Sequence, residues 1–338
     1  MPRLLVAIFA LALVTLLSST PAYACAGLIG SNGTVQLVRT TTLAAYEDGV
    51  EHYVTSFQFQ GGGGQFGSLV PLPGVPTKVE KGGDWTLQRL VRETEPQKAF
   101  APLAQRGAAS DRAEVLLEVR IDALDITVLR GGSSAVGGWA KDHGFRLSPD
   151  APEVLDFYAD RSPIFLAAIF DGDAAAKKGQ RVGDGTPVHL TIPTANPWVP
   201  LRILGLGKKA DERINADVYL LTQRRPSLLP APATGLNLLY DQPANARLLS
   251  DLRSDKGMDW VPRSAWLTKL RIDSSVRDLR YDLAVDAAGR GVPSPVAAGL
   301  ATPSVSAPAV DSATLVVITA WLGAFAIFLV ARRRSAGA

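Results

Sequence analysis

The stretch NGTVQLVRTTTLAAYEDGVEHYVTSFQFQG, residues 32–61, decides the fold class of this chain. It holds two runs rich in β-branched and aromatic residues, joined at Glu47-Asp48-Gly49. Asp-Gly between such runs is a strong signal for a β-hairpin, because a two-residue turn needs residues that tolerate positive φ. The sequence therefore predicts two long antiparallel strands here.

The rest of the chain shows more strand-like than helical patterns. Strands are predicted at residues 67–71, 114–128, 164–170, 188–192, 199–204, 216–222 and 267–272. Helices are predicted at 84–93, with Asp84 as the N-cap, at 151–160 and at 244–254. Because strands and helices do not alternate strictly, we expect an α+β fold, strand-rich, with mostly antiparallel sheets, a few short helices and one C-terminal transmembrane helix.

Two apolar stretches near the ends of the chain predict its topology. Residues 4–17 are apolar and precede Ala22 and Ala24, the small residues that signal peptidase reads, so residues 1–24 are interpreted as a signal peptide. The uncharged run 313–331 is about long enough to cross ~30 Å of hydrocarbon as a helix. Three arginines follow it, so the positive-inside rule places residues 332–338 in the cytoplasm as a tail.

The region between these stretches is expected to face outward. Residues 25–286 are interpreted as an extracytoplasmic domain, either one domain or two packed lobes. Residues 287–312, rich in Ala, Pro, Ser and Gly, are interpreted as a stalk. We therefore expect a single-pass cell-membrane protein with its N-terminus outside, its C-terminus in the cytoplasm, and the C-terminal helix as its contact with the membrane.

Charge argues against nucleic acid as a partner. The chain has 35 basic and 32 acidic residues, but Arg3 and the three C-terminal arginines belong to the targeting segments. Without them 31 basic and 32 acidic residues remain, so the outward part lacks the positive field that binds phosphate backbones.

The single cysteine, Cys25, falls at the first position after the expected cleavage site. It has no intramolecular disulfide partner, so the domain must rely on its core. Tyr23 fits a lipoprotein signal poorly. Lipidation, a free thiol and intermolecular pairing all stay open for Cys25.

No cofactor or metal motif is complete. Gly62, Gly64 and Gly67 match G-x-G-x-x-G after a strand, but Pro71 and Pro73 forbid the helix that would hold a pyrophosphate, so we interpret the glycines as a loop. We expect no cofactor, no bound metal and no standard nucleophile motif.

The three histidines are far apart in sequence. His52 and His189 lie in predicted strands and are interpreted as ordinary sheet residues, whereas His143, next to Asp142, is predicted to lie in a loop. Asp142 and His143 form a candidate loop site. Pro71, Pro73, Trp198 and Arg202 form a candidate partner surface, because proline-rich turns beside an aromatic and an arginine suit binding.

Several segments resemble a known family. They are ACAG at 24–27, FGSLVPLPGVP at 66–76, WVPLRI at 198–203, WLTKLR at 266–271 and YDLAV at 281–285. In order and spacing the chain is similar to bacterial secreted proteins of the domain-of-unknown-function 2330 family. Members typically open with more than one cysteine, whereas this chain keeps only Cys25. The resemblance implies no established activity and brings no catalytic residues.

Two functional classes are consistent with the sequence. We expect a membrane-tethered binding or interaction module at the cell envelope, whose partner is an envelope protein or polymer. The alternative is an extracytoplasmic hydrolase of envelope polymers, with catalytic carboxylates that the sequence does not single out. The lack of a catalytic motif favours binding over an enzyme.

Overall fold

The computed structural model describes residues 27–30, 35–61, 65–95, 115–121, 124–171, 186–289 and 291–303. The described residues up to Thr302 form one compact unit. Within the described ranges no helix is long and apolar enough to cross a bilayer. The expected signal peptide, the expected transmembrane helix at 313–331 and the tail at 332–338 lie outside the described residues.

The described part of the chain contains fifteen strands, four α-helices and a short 3-10 helix. The strands are β1 Gly27–Gly30, β2 Val35–Glu47, β3 Val50–Gly61, β4 Gln65–Leu72, β5 Lys78–Lys81, β6 Val115–Ile121, β7 Leu124–Arg130, β8 Ile164–Asp171, β9 Val188–Pro193, β10 Trp198–Val199, β11 Arg213–Thr222, β12 Ser227–Leu229, β13 Leu236–Pro243, β14 Trp266–Ser275 and β15 Leu283–Asp286. The helices are α1 Thr86–Thr94, α2 Ser133–Asp142, α3 Ala151–Ala159 and α4 Ala246–Ser254, with the 3-10 helix at Arg202–Gly205.

The strands form three sheets. A seven-stranded sheet has the order β13-β14-β11-β2-β3-β9-β5, a five-stranded sheet the order β1-β4-β8-β7-β6, and a three-stranded sheet the order β10-β15-β12. Between the described strands every pairing is antiparallel except β2 with β11. The strand-rich α+β fold with mostly antiparallel sheets is confirmed.

The hairpin of β2 and β3 forms as its turn sequence predicts. Asp48 and Gly49 have φ of 49° and 82°, the two positive values of a type I′ turn. The two strands pair from Val35–Gly61 to Glu47–Val50. Together they occupy the middle of the seven-stranded sheet, so this one local signal builds the centre of the fold.

Around Ala44 both faces of β2 are buried, because successive side chains enter different cores. Ala44 lies in the larger core, which also takes in the five-stranded sheet, α2 and α3. Leu43 and Ala45 lie in the smaller core on the other face, covered by α1 and α4. The seven-stranded sheet thus has one face toward the larger core and the other toward the two helices.

Helix α1 begins two residues later than predicted, and Asp84 is not its N-cap. The N-cap is Trp85, which makes no side-chain capping bond. The carboxylate of Asp255 takes that role from a distant segment, accepting from the backbone N–H groups of Asp84, Trp85 and Thr86 at 3.0, 2.9 and 2.8 Å. A capping group from the distant segment that follows α4 cannot be read from the local sequence.

Other boundaries differ from the sequence patterns. The predicted strand 114–128 is two strands, β6 and β7, which pair with each other. The predicted strand 199–204 stops at Val199, because Pro200 offers no N–H and the chain then turns into the 3-10 helix. Helix α2 was not predicted, since Gly137 and Gly138 lower helix propensity within it. Tertiary packing of Val136, Trp139 and Ala140 stabilises it.

Part of the segment expected to be a stalk packs on the domain. Ala297 and Ala298 are 6% and 0% exposed, and the Asp282 N–H donates to the Ala298 carbonyl at 3.0 Å. Gly299 has φ of 67° and lies so close to Phe157 that a Cβ would clash with the ring. The folded part therefore extends beyond the expected boundary at residue 286. Residues 304–312 lie outside the described residues.

Candidate functional site

Two histidines that are 137 residues apart in sequence meet on the helix-covered face of the seven-stranded sheet. His52 lies on β3 and His189 on β9, where His189 pairs with Val54, two residues after His52. This diagonal placement brings Nδ1 of His52 to 2.9 Å from Nε2 of His189. Both histidines lie in strands, as predicted, and the pairing of β3 with β9 brings them together, which the sequence did not indicate.

Trp260 covers this pair. Its ring lies 4.1 Å from that of His52 at an interplanar angle of 4°, and 5.0 Å from that of His189. Trp260 comes from the segment between α4 and β14, where Met258 and Val261 are buried in the smaller core. Those two anchors on either side of Trp260 fix the ring over the imidazoles.

Burial keeps both imidazoles neutral. It lowers the pKa of His52 to about 4 and that of His189 to about 3, with the neighbouring His52 and Lys78 adding to the second shift. Glu80 on β5 is directly opposite His189, and its Oε2 lies 3.9 Å from Nδ1 of His189. Lys78 pairs with Glu80 at 2.7 Å.

A shallow, open depression with a cavity volume of about 10 Å³, room for roughly one water-sized group, lies beside this pair. Its lining comes from the β2–β3 hairpin, the end of β11 and the Trp260 segment. The polar and aromatic residues in that lining are Tyr46, Glu47, His52, Thr222, Gln223, Trp260 and Ser264. The volume lies below the ~300–1,000 Å³ of pockets that enclose a whole small molecule. We call it the His52–Trp260 depression. It can receive one functional group of a larger molecule.

The residues that the structure describes contain no cluster of three or more His, Cys, Asp or Glu side chains placed to hold a metal. The glycine segment expected to be a loop is largely strand at its described positions. Gly61 ends β3 and Gly67 lies inside β4, while residues 62–64 are not among the described ranges.

Glu51 is a titratable group that the sequence analysis missed. It is 1% exposed, and neither carboxyl oxygen makes a hydrogen bond of good geometry with another described residue. Burial raises its pKa to about 8, although the Trp198 backbone offsets part of the shift. The alternation of β3 puts Glu51 on the same face as buried Tyr53, and that alternation was the available signal.

The candidate loop site at Asp142 and His143 is placed differently from its prediction. Asp142 ends α2 and His143 is the C-cap, so the pair terminates a helix rather than lying in a loop. Nδ1 of His143 lies 2.6 Å from the Trp139 carbonyl, and its ring packs against that of Trp139. His143 does not join the His52–His189 pair. Its imidazole contacts the Trp139 carbonyl at the C-terminal end of α2.

The candidate partner surface is largely interior. Trp198 is 3% exposed and stacks on Tyr158 at 5.7 Å, and Pro71 is buried within β4. Pro73 is half-buried just after β4. Arg202 lies over the ring of Phe157 and pairs with Glu153. As a set these residues offer no continuous surface to a partner, which corrects the sequence interpretation.

Asp282 organises this interior region. It is fully buried and its Oδ2 pairs with Arg161 at 2.5 Å. Its Oδ1 accepts from the Tyr158 hydroxyl and from the backbone N–H groups of Leu201 and Arg202. With its charge paired and its oxygens satisfied, the carboxylate joins α3, the 3-10 helix and the C-terminal segment as a structural centre.

Cys25 lies outside the described residues. The His52–His189 pair could not be found from the sequence, because only the register of β3 against β9 brings the two side chains together. Trp260 reaches the two histidines only because of the path of the loop after α4. Neither position carries a local motif.

Comparisons with known proteins place the chain in a bacterial family. A family model described as "Uncharacterized protein conserved in bacteria (DUF2330)" matches residues 20–229, more than half of the chain. No curated protein matches the chain.

Among solved structures, baculovirus P35 is similar at 8% identity and a TM-score of 0.40, covering 77% of this chain and 99% of P35. A mutated baculovirus P35 after caspase cleavage has 9% identity and a TM-score of 0.35, and the match covers 74% of this chain and 99% of that chain. A caspase-8/P35 complex is similar at 9% identity and a TM-score of 0.32, and the match covers 76% of this chain and 92% of that chain. These scores are too low to establish a shared fold.

Proposed function

The chain belongs to this family of uncharacterised bacterial proteins, and we propose that it is a membrane-tethered binding module of the cell envelope whose ligand site is the His52–Trp260 depression. One observation carries the proposal: a tryptophan stacked flat on a neutral imidazole beside a depression lined with polar side chains. Aromatic rings with a few convergent polar groups are typical of binding sites.

The sequence supports the location of this module. The apolar run 4–17 before Ala22 and Ala24 supports export, and the run 313–331 before three arginines supports a single-pass anchor with the N-terminus outside and the C-terminus in the cytoplasm. The balance of charge in the outward part supports an envelope protein or polymer rather than nucleic acid as the partner.

The alternative function, hydrolysis of an envelope polymer, has weaker support. Ser264 and His52 line the same depression, but no hydrogen bond joins them in the described structure. With a pKa of about 4, His52 is also a weak general base near neutral pH, where the best catalytic bases have a pKa near 7. Both features favour binding.

The proposal is tested by co-sedimentation of the full chain, in detergent micelles, with purified cell-wall sacculi. Trp260→Ala should lower the bound fraction at least about fivefold, since an aromatic anchor in a recognition site contributes ~1–2 kcal/mol or more. Ser264→Tyr should do the same by filling the depression from an exposed position, without removing a buried group.

Trp85→Ala is the matched control, because Trp85 is a 38% exposed tryptophan in another segment. Binding by Ser264→Tyr and Trp260→Ala at the wild-type level would refute the proposed site. If the wild type releases soluble fragments from the sacculi and Ser264→Ala does not, the hydrolase is favoured instead.

A further inference from the structure

Three side chains on neighbouring strands form a polar row beside the depression. Glu80 on β5 pairs directly with His189 on β9, and His189 lies diagonally across from His52 on β3. All three therefore project from the same face of the seven-stranded sheet. We call them the Glu80–His189–His52 row. Only its His52 end lines the depression.

One proton is shared within this row. Because both imidazoles are neutral near pH 7, one proton lies in the 2.9 Å contact between Nδ1 of His52 and Nε2 of His189. Two arrangements exist. Either His52 donates through Nδ1 and keeps Nε2 bare, or His189 donates through Nε2 and keeps its own Nδ1 bare.

Glu80 decides between the two arrangements. Nδ1 of His189 is buried and makes no hydrogen bond with another described residue, while Oε2 of Glu80 lies 3.9 Å away. A carboxylate at that distance favours a protonated Nδ1 on His189. It disfavours an unprotonated Nδ1, whose lone pair would face the negative oxygen. Lys78 is the other charged group here: it pairs with Glu80 at 2.7 Å, and its positive charge lowers the pKa of His189, so it acts against the effect of the closer Glu80 carboxylate on Nδ1.

We propose that Glu80 and His189 hold His52 in the tautomer whose Nε2 is a bare acceptor, so that the His52–Trp260 depression takes a hydrogen-bond donor, specifically a primary ammonium group of a larger envelope molecule. This inference rests on the proposed function. The Glu47 carboxylate lines the same depression and adds a second acceptor with negative charge. The aromatic side chains of Tyr46 and Trp260 in the lining also favour a cation. Glu80 and His189 are positioning residues that act through His52.

The tautomer is measured directly by imidazole ¹⁵N NMR of the histidine-labelled full chain in detergent. The chain has three histidines, so His143→Gln and His189→Gln assign the signals. In the wild type, Nε2 of His52 should have the shift of an unprotonated nitrogen and Nδ1 that of a protonated one. Glu80→Ala should shift the population toward the opposite tautomer. Lys78→Ala is the matched control, since it changes the neighbouring charge and keeps the carboxylate.

The ligand preference is measured by titration with three probes that share a short alkyl chain and differ in their polar group: n-butylammonium, n-butyltrimethylammonium and butyrate. Only the first has both a positive charge and N–H donors. It should bind about tenfold tighter than the quaternary probe, as one hydrogen bond to a charged group predicts. Glu80→Ala should reduce that ratio. Glucosamine and lysine amide then distinguish a sugar amine from a peptide amine as the source of the ammonium group.

The two proposals fail in different ways. A protonated Nε2 on His52 in the wild type would overturn the inference whatever binds. Equal affinity for butyrate and butylammonium at a site lost in Ser264→Tyr would also overturn it, while leaving the proposed binding site in place. Sacculus binding that is insensitive to both Ser264→Tyr and Trp260→Ala would refute the proposed function itself.

Discussion

The burial of Glu51 makes the stability of the protein depend on pH. The residue sits 1% exposed with a pKa raised to about 8 by desolvation, so it is protonated in the folded protein at neutral pH. The unfolded chain releases that proton near pH 4.5. Between these values the folded state holds one more proton than the unfolded state, and stability therefore falls as pH rises.

Glu51→Gln should remove this part of the pH dependence. From pH 5 to pH 8 the wild type should lose on the order of 3 kcal/mol more than the variant, because the amide cannot release a proton. Urea unfolding at pH 5, 6, 7 and 8 measures the difference in slope. Glu118→Gln makes the same chemical change on an exposed side chain. Equal slopes for the wild type and Glu51→Gln would show that Glu51 is not buried as described.

At the scale of the element, α1 depends on a group outside its own sequence. Asp255 is 4% exposed and accepts three backbone N–H groups and the Thr86 hydroxyl at the helix start. These are the donors that a helix cannot satisfy internally. The same carboxylate lies at the positive end of the helix dipole. Helix α1 is thereby tied to the segment after α4, against which it packs through the smaller core.

Asp255→Ala should lower the free energy of unfolding by about 3 kcal/mol, because it leaves two buried donors of Thr86 and two part-buried backbone N–H groups without a partner. Asp251→Ala is the comparison, since Asp251 lies on the adjacent α4 and pairs with Arg89 at a 37% exposed position. That change should cost within about 1 kcal/mol. Urea unfolding followed by circular dichroism measures both. A cost for Asp255→Ala no larger than that for Asp251→Ala would contradict the capping role.

At the scale of the whole molecule, the C-terminal end of the described chain completes the fold. The carbonyl of Ala297 accepts from Arg161 at 2.6 Å, and Arg161 is the partner of buried Asp282. Ala298 is fully buried. The segment 291–303 thus covers the buried ion pair and excludes water from it.

Two truncations separate this packed segment from the expected anchor. A chain ending at Val310 keeps residues 291–303 and should be recovered folded and soluble outside the cytoplasm. A chain ending at Asp286 retains β15 but uncovers Arg161 and Asp282, and should be less stable by roughly 2–4 kcal/mol. Cell fractionation and urea unfolding provide the measurements. Equal stability of the two would show that residues 291–303 contribute nothing to the fold, and retention of the Val310 variant in the cytoplasm would contradict export.

The sequence by itself determined the parts of this protein that depend on neighbouring residues. Asp48-Gly49 specified the hairpin because only a few residues tolerate its two positive φ values. Strand-like runs of residues predicted most of the long strands and, with the irregular order of elements, the α+β class. Helix α4 was predicted from residue 244 and begins at Ala246, directly after Asn245, whose side chain caps it by accepting from the Arg247 N–H.

Only the tertiary structure decided the candidate site and the centres of buried charge. His52 meets His189, and Asp255 caps α1, through contacts that span 137 and about 170 residues of sequence. Trp198 and Pro71 have the composition of a partner surface, yet the packing of α3 and β8 places them inside. Side-chain contacts of this kind depend on strand register and on which elements pack together, and no local pattern carries that information because many registers satisfy the same alternation of apolar residues.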